Sequence, residues 1–286
     1  MRWLLSNQEE SVIAAMPDWN LEKKRFLSSI LFYTRIPVSG FLTTDSLKKE
    51  EPVESSRYFP LIGVLVGAAC SLVFLAANYF LPKDISILIG LALGVWITGA
   101  LHEDGLADSA DGFGAGWNPE QIRKIMKDSS IGVYGMLSLL FVMFIKFETL
   151  HSISVEQIPL VWIAGHAVSR LAAIGLLIPL DYLGGSGNKS SSMVQLNHQD
   201  WLVAGISGIL PVFLLGFHGF LAMIAILILN LGLSHYFKKR IGGVTGDCLG
   251  ASQQLSEILF YLISVSYTHL RAHETVLDLV CRLLLE

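Results

Sequence analysis

The chain has 286 residues, of which 52% are hydrophobic and 15% charged, and its formal net charge is -4. A mean hydropathy of +0.56 exceeds that of ordinary soluble domains and predicts an integral membrane protein. The near-neutral charge excludes a nucleic-acid partner, and three scattered cysteines without a CxxC pair favour neither a zinc site nor a disulfide framework.

The first 57 residues are too charged to span a bilayer. A cleavable signal peptide is not expected, because Glu9 and Glu10 lie where its apolar region should be. The stretch "SSILFYTRIPVSG" is apolar enough to lie in the membrane interface. We therefore predict that residues 1–57 form a cytoplasmic or interfacial N-terminal segment.

Six or seven apolar segments follow, and a spanning helix needs about 20 such residues. They fall near 59–81, 85–101, 131–150, 158–180, 201–217, 219–237 and, more weakly, 255–266. The predicted fold class is therefore all-α, a polytopic integral membrane helical bundle of about six to seven transmembrane helices over residues 58–265.

The orientation of the bundle follows from its Lys and Arg residues, which are in excess in cytoplasmic loops. When the segments are threaded alternately, nearly all of these residues fall on one side, and only Lys83 lies in a loop on the other. Every long polar loop then shares the side of the N-terminus. We expect that side to be cytoplasmic and to carry any functional site.

The C-terminal end does not continue this pattern. After "QQLSEILFYLIS" the sequence changes to "VSYTHLRAHETVLDLVCRLLLE", which is typical of a soluble amphipathic helix with mixed charges. We interpret residues 266–286 as an atypical, non-native tail. His269, His273 and Glu274 are therefore excluded from metal-site candidates.

The stretch "HEDGLADSADGFGAG", residues 102–116, places Asp104, Asp108 and Asp111 on one helical face directly after the second apolar segment. Three carboxylates on one stripe repel each other and need a counter-charge. Mg²⁺, which takes oxygen ligands, is the natural cation. Gly105 and Gly112 would let a phosphate approach closely. A solvated acidic loop is the alternative, but ionisable groups at the end of a span favour the ligand interpretation.

The next polar stretch is "IRKIMKDSSIGVYG", residues 122–135. Asp128 with the two serines after it resembles an N-cap, so the amides of the helix that follows could hold an anion. Arg123 and Lys127 are candidates for phosphate contacts. The alternative is that these cations only set the topology.

A glycine-rich stretch beside basic residues, "KKRIGGVTGDCLGA", covers residues 238–251. Lys239 and Arg240, with the amides near Gly243 and Gly246, are candidates for holding phosphate oxygens. Asp247 is a candidate for the same metal from the other end of the fold. The spacing is not that of a P-loop, so ATP hydrolysis is unsupported, and a hinge between helices is the alternative.

Arg170 lies inside the fourth apolar segment, where a charge is expected to face the bundle interior with a partner. His166 lies one turn earlier on the same face, although a packing role is more common for such a histidine. Together with the acidic and basic stretches, this pattern predicts metal-assisted phosphoryl or nucleotidyl transfer at the cytoplasmic face. Another Mg²⁺-dependent membrane phosphotransferase, a prenyltransferase and a cation-coupled transporter are the alternatives.

Five motifs occur in the order and spacing of one enzyme family: "FYTRIPV", "YFPLIGVLVG", "HEDGLADSADG", "IMKDSSIGVYG" and "GGVTGDCLGA". From about residue 26 to about residue 264 the chain resembles the cobalamin synthase family of adenosylcobinamide-GDP ribazoletransferases. The resemblance implies a Mg²⁺-dependent enzyme of the bacterial cytoplasmic membrane. Its members join adenosylcobinamide-GDP to α-ribazole or its 5'-phosphate and release GMP, so the product would be adenosylcobalamin or its phosphate.

The resemblance also implies roles for individual residues. It makes Asp104, Asp108 and Asp111 the metal and diphosphate ligands. Asp128 and Asp247 become candidates for a second metal or for activating the attacking group, and Arg35 and Arg170 for holding anionic substrate groups. Glu103 is not counted as a ligand. For a hydroxyl acceptor, the sequence leaves an aspartate or His102 as the general base. It also leaves open the preferred acceptor and the number of metal ions. The oligomeric state is likewise open, and a homo-oligomer is compatible with the sequence.

Overall fold

The computed structural model describes residues 19–38, 56–183 and 196–283, with side chains described up to Ser266. Within these ranges the chain forms ten α-helices and one short 3₁₀ turn, and its isolated bridge between Tyr182 and Val244 is not part of a strand. The elements are α1 (Trp19–Tyr33), the 3₁₀ turn (Ser56–Tyr58), α2 (Phe59–Asn78), α3 (Lys83–Thr98), α4 (Leu101–Ala115), α5 (Pro119–Met126), α6 (Val133–Ser152), α7 (Ile158–Gly175), α8 (His198–Phe213), α9 (Phe217–Ile241) and α10 (Gly246–Leu283).

The helices confirm the predicted all-α membrane bundle, with fewer spans than expected. Four helical segments in the described ranges are long and apolar enough to cross a membrane, namely α2 with its preceding turn, α6, α7 and α9. The bent pair α3 and α4 passes the same test as one unit and makes a fifth. The predicted segment 201–217 forms α8, whose 16 residues span about 24 Å, less than a hydrocarbon core of about 30 Å.

The second predicted segment ends earlier than expected because the chain bends sharply after Thr98. Gly99 and Ala100 both adopt left-handed backbone conformations, with φ of 65° and 60°. Glycine tolerates this region, whereas alanine rarely enters it. The axes of α3 and α4 therefore meet at 85°, and the acidic stretch forms a separate helix rather than the end of a span.

Helix α7 lies at the centre of the bundle and packs against α2, α8 and α10. Trp162 of α7 is fully buried and lies near Phe74 of α2. At one end of the bundle, Arg57 of the 3₁₀ turn donates to Asp200 of α8 at 2.8 Å and also pairs with Glu22 of α1. This ion cluster fixes the N-terminal helix to the bundle.

The last helix, α10, runs without a break from Gly246 to Leu283. The weak span predicted at 255–266 is its central part, and most residues between Ala251 and Tyr261 are buried. The proposed boundary at residue 266 is therefore not a helix end. Residues 267–283 are helical, as the amphipathic pattern predicts, while residues 1–18, 39–55, 184–195 and 284–286, with most of the predicted N-terminal segment, lie outside the described residues.

Candidate active site

The acidic helix α4 packs against the start of α10 through two glycines. A Cβ atom on Gly105 would lie 3.1 Å from the Cα of Asp247, and one on Gly250 would lie 3.2 Å from the carbonyl oxygen of His102. Only glycine lets the two backbones approach this closely. The crossing brings Asp247 beside the carboxylates of α4, as the sequence predicts.

Three carboxylates form what we call the acidic patch: Asp104, Asp108 and Asp247. Asp104 is exposed, and Asp108 and Asp247 are half-buried. Asp108 lies within electrostatic range of both other members, and Asp104 acts on Asp247. Burial, and then the charge of Asp104, raises the pKa of Asp247 above its ordinary value. The patch therefore joins two motifs that are far apart in the sequence and needs a counter-charge.

Asp111, the third member of the predicted stripe, has a different environment. Its side chain is buried, and its two carboxylate oxygens accept hydrogen bonds from the backbone N–H of Gly132 at 2.7 Å and of Gly135 at 2.9 Å. A carboxylate in this position satisfies free amides at the start of a helix and interacts favourably with its dipole. Asp111 thus holds the N-terminus of α6.

The predicted N-cap at Asp128 is wrong. Asp128 accepts hydrogen bonds from the backbone N–H and the hydroxyl of Ser130, which lowers its pKa, and α6 begins only at Val133 with Gly132 as its N-cap. The amides at the start of α6 do hold an anion, but this anion is Asp111. Among the described residues, no three His, Cys, Asp or Glu side chains converge to hold a metal by themselves.

This arrangement predicts that Asp111→Asn affects stability rather than metal binding. The amide would present an N–H group to one of the two backbone donors, so the unfolding free energy should fall by about 1–3 kcal/mol. Thermal unfolding in detergent and Mg²⁺ titration of the purified protein measure the two properties. If the Mg²⁺ concentration needed for half-maximal binding rose strongly while the stability stayed unchanged, Asp111 would instead be a metal ligand.

Some of the predicted basic residues are paired with other parts of the protein, and the others are exposed. Arg240 donates to the carbonyl oxygens of Phe113 at 3.1 Å and Gly116 at 2.9 Å, so it caps the C-terminus of α4. Arg123 pairs loosely with Glu120 at 3.8 Å. Lys127, Lys239 and Arg35 are exposed. Lys127 lies within electrostatic range of Asp247. Arg35 lies at the bend between α3 and α4, with its side chain against Gly99.

The glycine-rich loop before α10 pairs with residues after α7. Val244 N–H donates to the carbonyl oxygen of Asp181 at 2.9 Å, and Leu183 N–H donates to that of Val244 at 2.8 Å. A Cβ atom on Gly243 would collide with the Asp181 carbonyl. Gly246 begins α10 with Tyr182 nearby. The loop thus holds the start of α10 in place, and the Val244 amide is engaged by protein.

The interior charge at Arg170 has partners, as predicted. Arg170 is 1% exposed, and its Nη1 lies 2.9 Å from both Nδ1 and the carbonyl oxygen of His166. Nearby, Lys146 of α6 forms an ion pair of 2.9 Å with Glu257 of α10. We call Lys146, His166, Arg170 and Glu257 the interior charged cluster. It lies beneath α4, away from the open acidic patch.

Sequence reasoning missed Lys146, although a lone lysine within "FVMFIKFETL" is the signal that could have identified it. His102 also points away from the patch. It is 4% exposed and stacks on Phe59 with ring centroids 5.4 Å apart. The structure therefore brings Asp104, Asp108 and Asp247 together at the open end of the bundle and separates them from Arg170 and His102.

Comparison with known proteins gives one family. A family model described as cobalamin-5-phosphate synthase matches residues 25–265. An adenosylcobinamide-GDP ribazoletransferase of Shewanella frigidimarina is 40% identical over 252 residues, which cover 86% of this chain and 95% of that protein. The enzyme of the same name from Shewanella woodyi is 37% identical over 249 residues, covering 85% and 96%.

No solved structure matches the chain. The family model spans all the motifs that build the acidic patch, the α6 N-terminus and the interior charged cluster. The relatives are covered almost completely. The chain belongs to the cobalamin-5-phosphate synthase family.

Proposed function

We propose that this protein is an adenosylcobinamide-GDP ribazoletransferase, which joins adenosylcobinamide-GDP to α-ribazole or its 5'-phosphate and releases GMP. The family and the names of the relatives support this activity. The structural observation that carries it is the acidic patch, in which Asp247 from the glycine-rich motif lies beside Asp104 and Asp108. The product is adenosylcobalamin or its 5'-phosphate, so the enzyme completes the assembly of a cobalamin.

The transfer exchanges one phosphorus–oxygen bond for another. A hydroxyl oxygen of the acceptor bonds to the phosphorus attached to cobinamide, and the bond from that phosphorus to the bridging oxygen breaks. GMP leaves with the bridging oxygen, and the hydroxyl proton passes to a base. Asp247 is the candidate for this base because it is half-buried in the acidic patch, whereas the Asp128 carboxylate is bound by Ser130 and His102 is buried.

The acidic patch fits Mg²⁺, the expected cofactor. Mg²⁺ usually binds one or two carboxylates and completes its shell with waters and substrate phosphates, so a preformed cage of three ligands is not required. Asp104 and Asp108 would hold the ion, with Asp247 close to them. The ion would neutralise charge on the diphosphate and on the leaving GMP.

The cations around the patch suit an anionic substrate. Lys127 is the best placed, because it acts electrostatically on Asp247. Arg35 lies at the start of α4, and Arg123 and Lys239 lie on the elements that flank it. Arg240 and Arg170 do not face the substrate directly. The Arg240 guanidinium binds carbonyl oxygens at the end of α4, and that of Arg170 binds His166 within the interior charged cluster.

The membrane placement extends this proposal. The end of the bundle that carries the acidic patch also carries the basic residues at the end of α9 and on α5. At the other end, Lys83 binds the carbonyl oxygens that terminate α6. This asymmetry supports a multi-pass protein of the bacterial cytoplasmic membrane, surrounded by lipid, with its active face in the cytoplasm.

The activity is tested with the purified full-length chain in lipid vesicles, supplied with adenosylcobinamide-GDP and α-ribazole 5'-phosphate. We expect GMP release that requires both Mg²⁺ and the acceptor, matched mole for mole by adenosylcobalamin 5'-phosphate. Chelation of Mg²⁺ should stop both products. GMP release that is equally fast without acceptor would indicate a hydrolase, and no release from folded protein would contradict the proposal.

A further inference from the structure

A small cavity lies between the acidic helix and the core of the bundle. It is lined by residues of α2, α3, α4, α6, α7 and α10, and its volume is about 20 Å³. A site needs roughly 10–15 Å³ on this measure to hold one water molecule. The cavity therefore has room for one water and for nothing much larger.

The walls of this cavity carry polar atoms that have no protein partner. Six buried side-chain atoms without a hydrogen bond occur among the described residues. Four of the six belong to residues that line the cavity: His102 Nε2, Glu103 Oε2, Arg170 Nε and Gln254 Oε1. His102, Arg170 and Gln254 are each at most 4% exposed. Buried polar atoms are nearly always hydrogen-bonded, so four unpaired atoms around one cavity call for a partner, and a bound water or ion is one that would satisfy them.

The four atoms match the bonding capacity of water. Arg170 Nε always donates, and His102 Nε2 donates in one of its neutral tautomers. Glu103 Oε2 and Gln254 Oε1 accept. A water molecule accepts two hydrogen bonds and donates two, so its bonding capacity equals that of the four atoms. A cation would face the Arg170 N–H directly, and an anion would face the Glu103 carboxylate.

We propose that this cavity binds one ordered water molecule that joins α4 to α7 and α10. The water accepts from Arg170 Nε and His102 Nε2 and donates to Glu103 Oε2 and Gln254 Oε1. The second oxygen of Glu103 accepts from Gln254 Nε2 at 3.0 Å, so the Glu103 carboxylate is held on both sides. His102 and Glu103 directly precede Asp104 in α4.

The water therefore has a positioning role. By holding His102 and Glu103, it fixes the rotation of α4 about its axis and keeps Asp104 and Asp108 on the open face. This second step rests on the proposed transferase activity, whereas the water site itself does not.

The direct test is a structure of the full-length chain in lipid nanodiscs at a resolution that shows ordered water. We expect one isolated density peak at about 2.7–3.2 Å from the four atoms. An empty cavity would overturn the proposal, and so would side chains that turn to pair with each other.

The variant Gly94→Ala tests the site without removing any polar group. Gly94 lines the cavity, and an added Cβ atom would meet only Cys70 Sγ, at 3.2 Å. We expect the methyl group to displace the water. The melting temperature should then fall by roughly 5 °C, although alanine is otherwise the better helix former. The kcat for GMP release should fall about tenfold with KM unchanged.

Gly232→Ala in α9 is the matched control, because its Cβ atom would meet nothing within 4 Å. It should keep the wild-type kcat, and its melting temperature should be unchanged or slightly higher. If Gly94→Ala behaves like this control, the proposal is wrong. If the wild-type chain releases no GMP, the proposed function fails, while the density and the melting temperatures still decide the water site.

Discussion

Asp104→Asn is expected to reduce kcat for GMP release by roughly 10²- to 10³-fold, the loss seen when one group that stabilises transition-state charge is removed. Asp104 is exposed and the change is nearly isosteric, so the fold should be unaffected. The carboxylate charge, however, would no longer be available to Mg²⁺ beside Asp108 and Asp247. Steady-state rates at several Mg²⁺ concentrations measure this effect, and the Mg²⁺ concentration for half-maximal rate should rise.

Asp84→Asn provides the matched control for this substitution. Asp84 is also an exposed aspartate in the first turn of a helix, but α3 begins at the opposite end of the bundle. Its rate and Mg²⁺ dependence should remain those of the wild type. If Asp104→Asn also retains the wild-type rate and Mg²⁺ dependence, the acidic patch is not the active site.

The sequence identifies the members of the acidic patch because each of them belongs to a local pattern. Helical spacing places Asp104 and Asp108 on one face, and a lone aspartate among glycines singles out Asp247. The all-α class follows equally directly from apolar segments of spanning length. Neither the helical face nor the fold class requires knowledge of which elements touch, whereas the approach of Asp247 to that face depends on the contact between α4 and α10.

The sequence is less informative where tertiary contacts decide the outcome. Asp111 has the same helical spacing as Asp104 and Asp108, yet its carboxylate binds amides 21 and 24 residues further along the chain. Periodicity identifies a face of a helix but not the element that packs against it. The bend at Ala100 is equally unpredictable, since local preference disfavours a positive φ for alanine.

The interior charged cluster shows the same limit. The sequence predicts a buried partner for Arg170, and His166 is such a partner at one turn's distance. The contact between Lys146 and Glu257, by contrast, joins α6 to α10 and has no local signal. A buried lysine in an apolar span indicates that a carboxylate lies near, but not which one.

The variant Lys146→Met is expected to lower the unfolding free energy by about 3–5 kcal/mol. Lys146 and Glu257 have side chains that are 4% and 1% exposed. Methionine nearly matches lysine in length, so packing should survive, but the Glu257 carboxylate would lose its closest cation. Hydrogen bonds from Gln253 at 2.6 Å and Tyr261 at 3.1 Å would remain. Denaturation in mild detergent measures the loss.

The double variant Lys146→Met with Glu257→Gln separates lost charge pairing from lost packing. The glutamine introduced in place of Glu257 would be neutral and could still bond its neighbours, so the double variant should be more stable than Lys146→Met alone. Lys124→Met, an exposed lysine on α5, should change stability by no more than about 0.5 kcal/mol. A double variant that shows the simple sum of two losses would mean that the ion pair contributes nothing as a pair. A double variant that is more stable than Lys146→Met would show that charge balance between α6 and α10 stabilises the interior charged cluster, beneath the helix that carries the acidic patch.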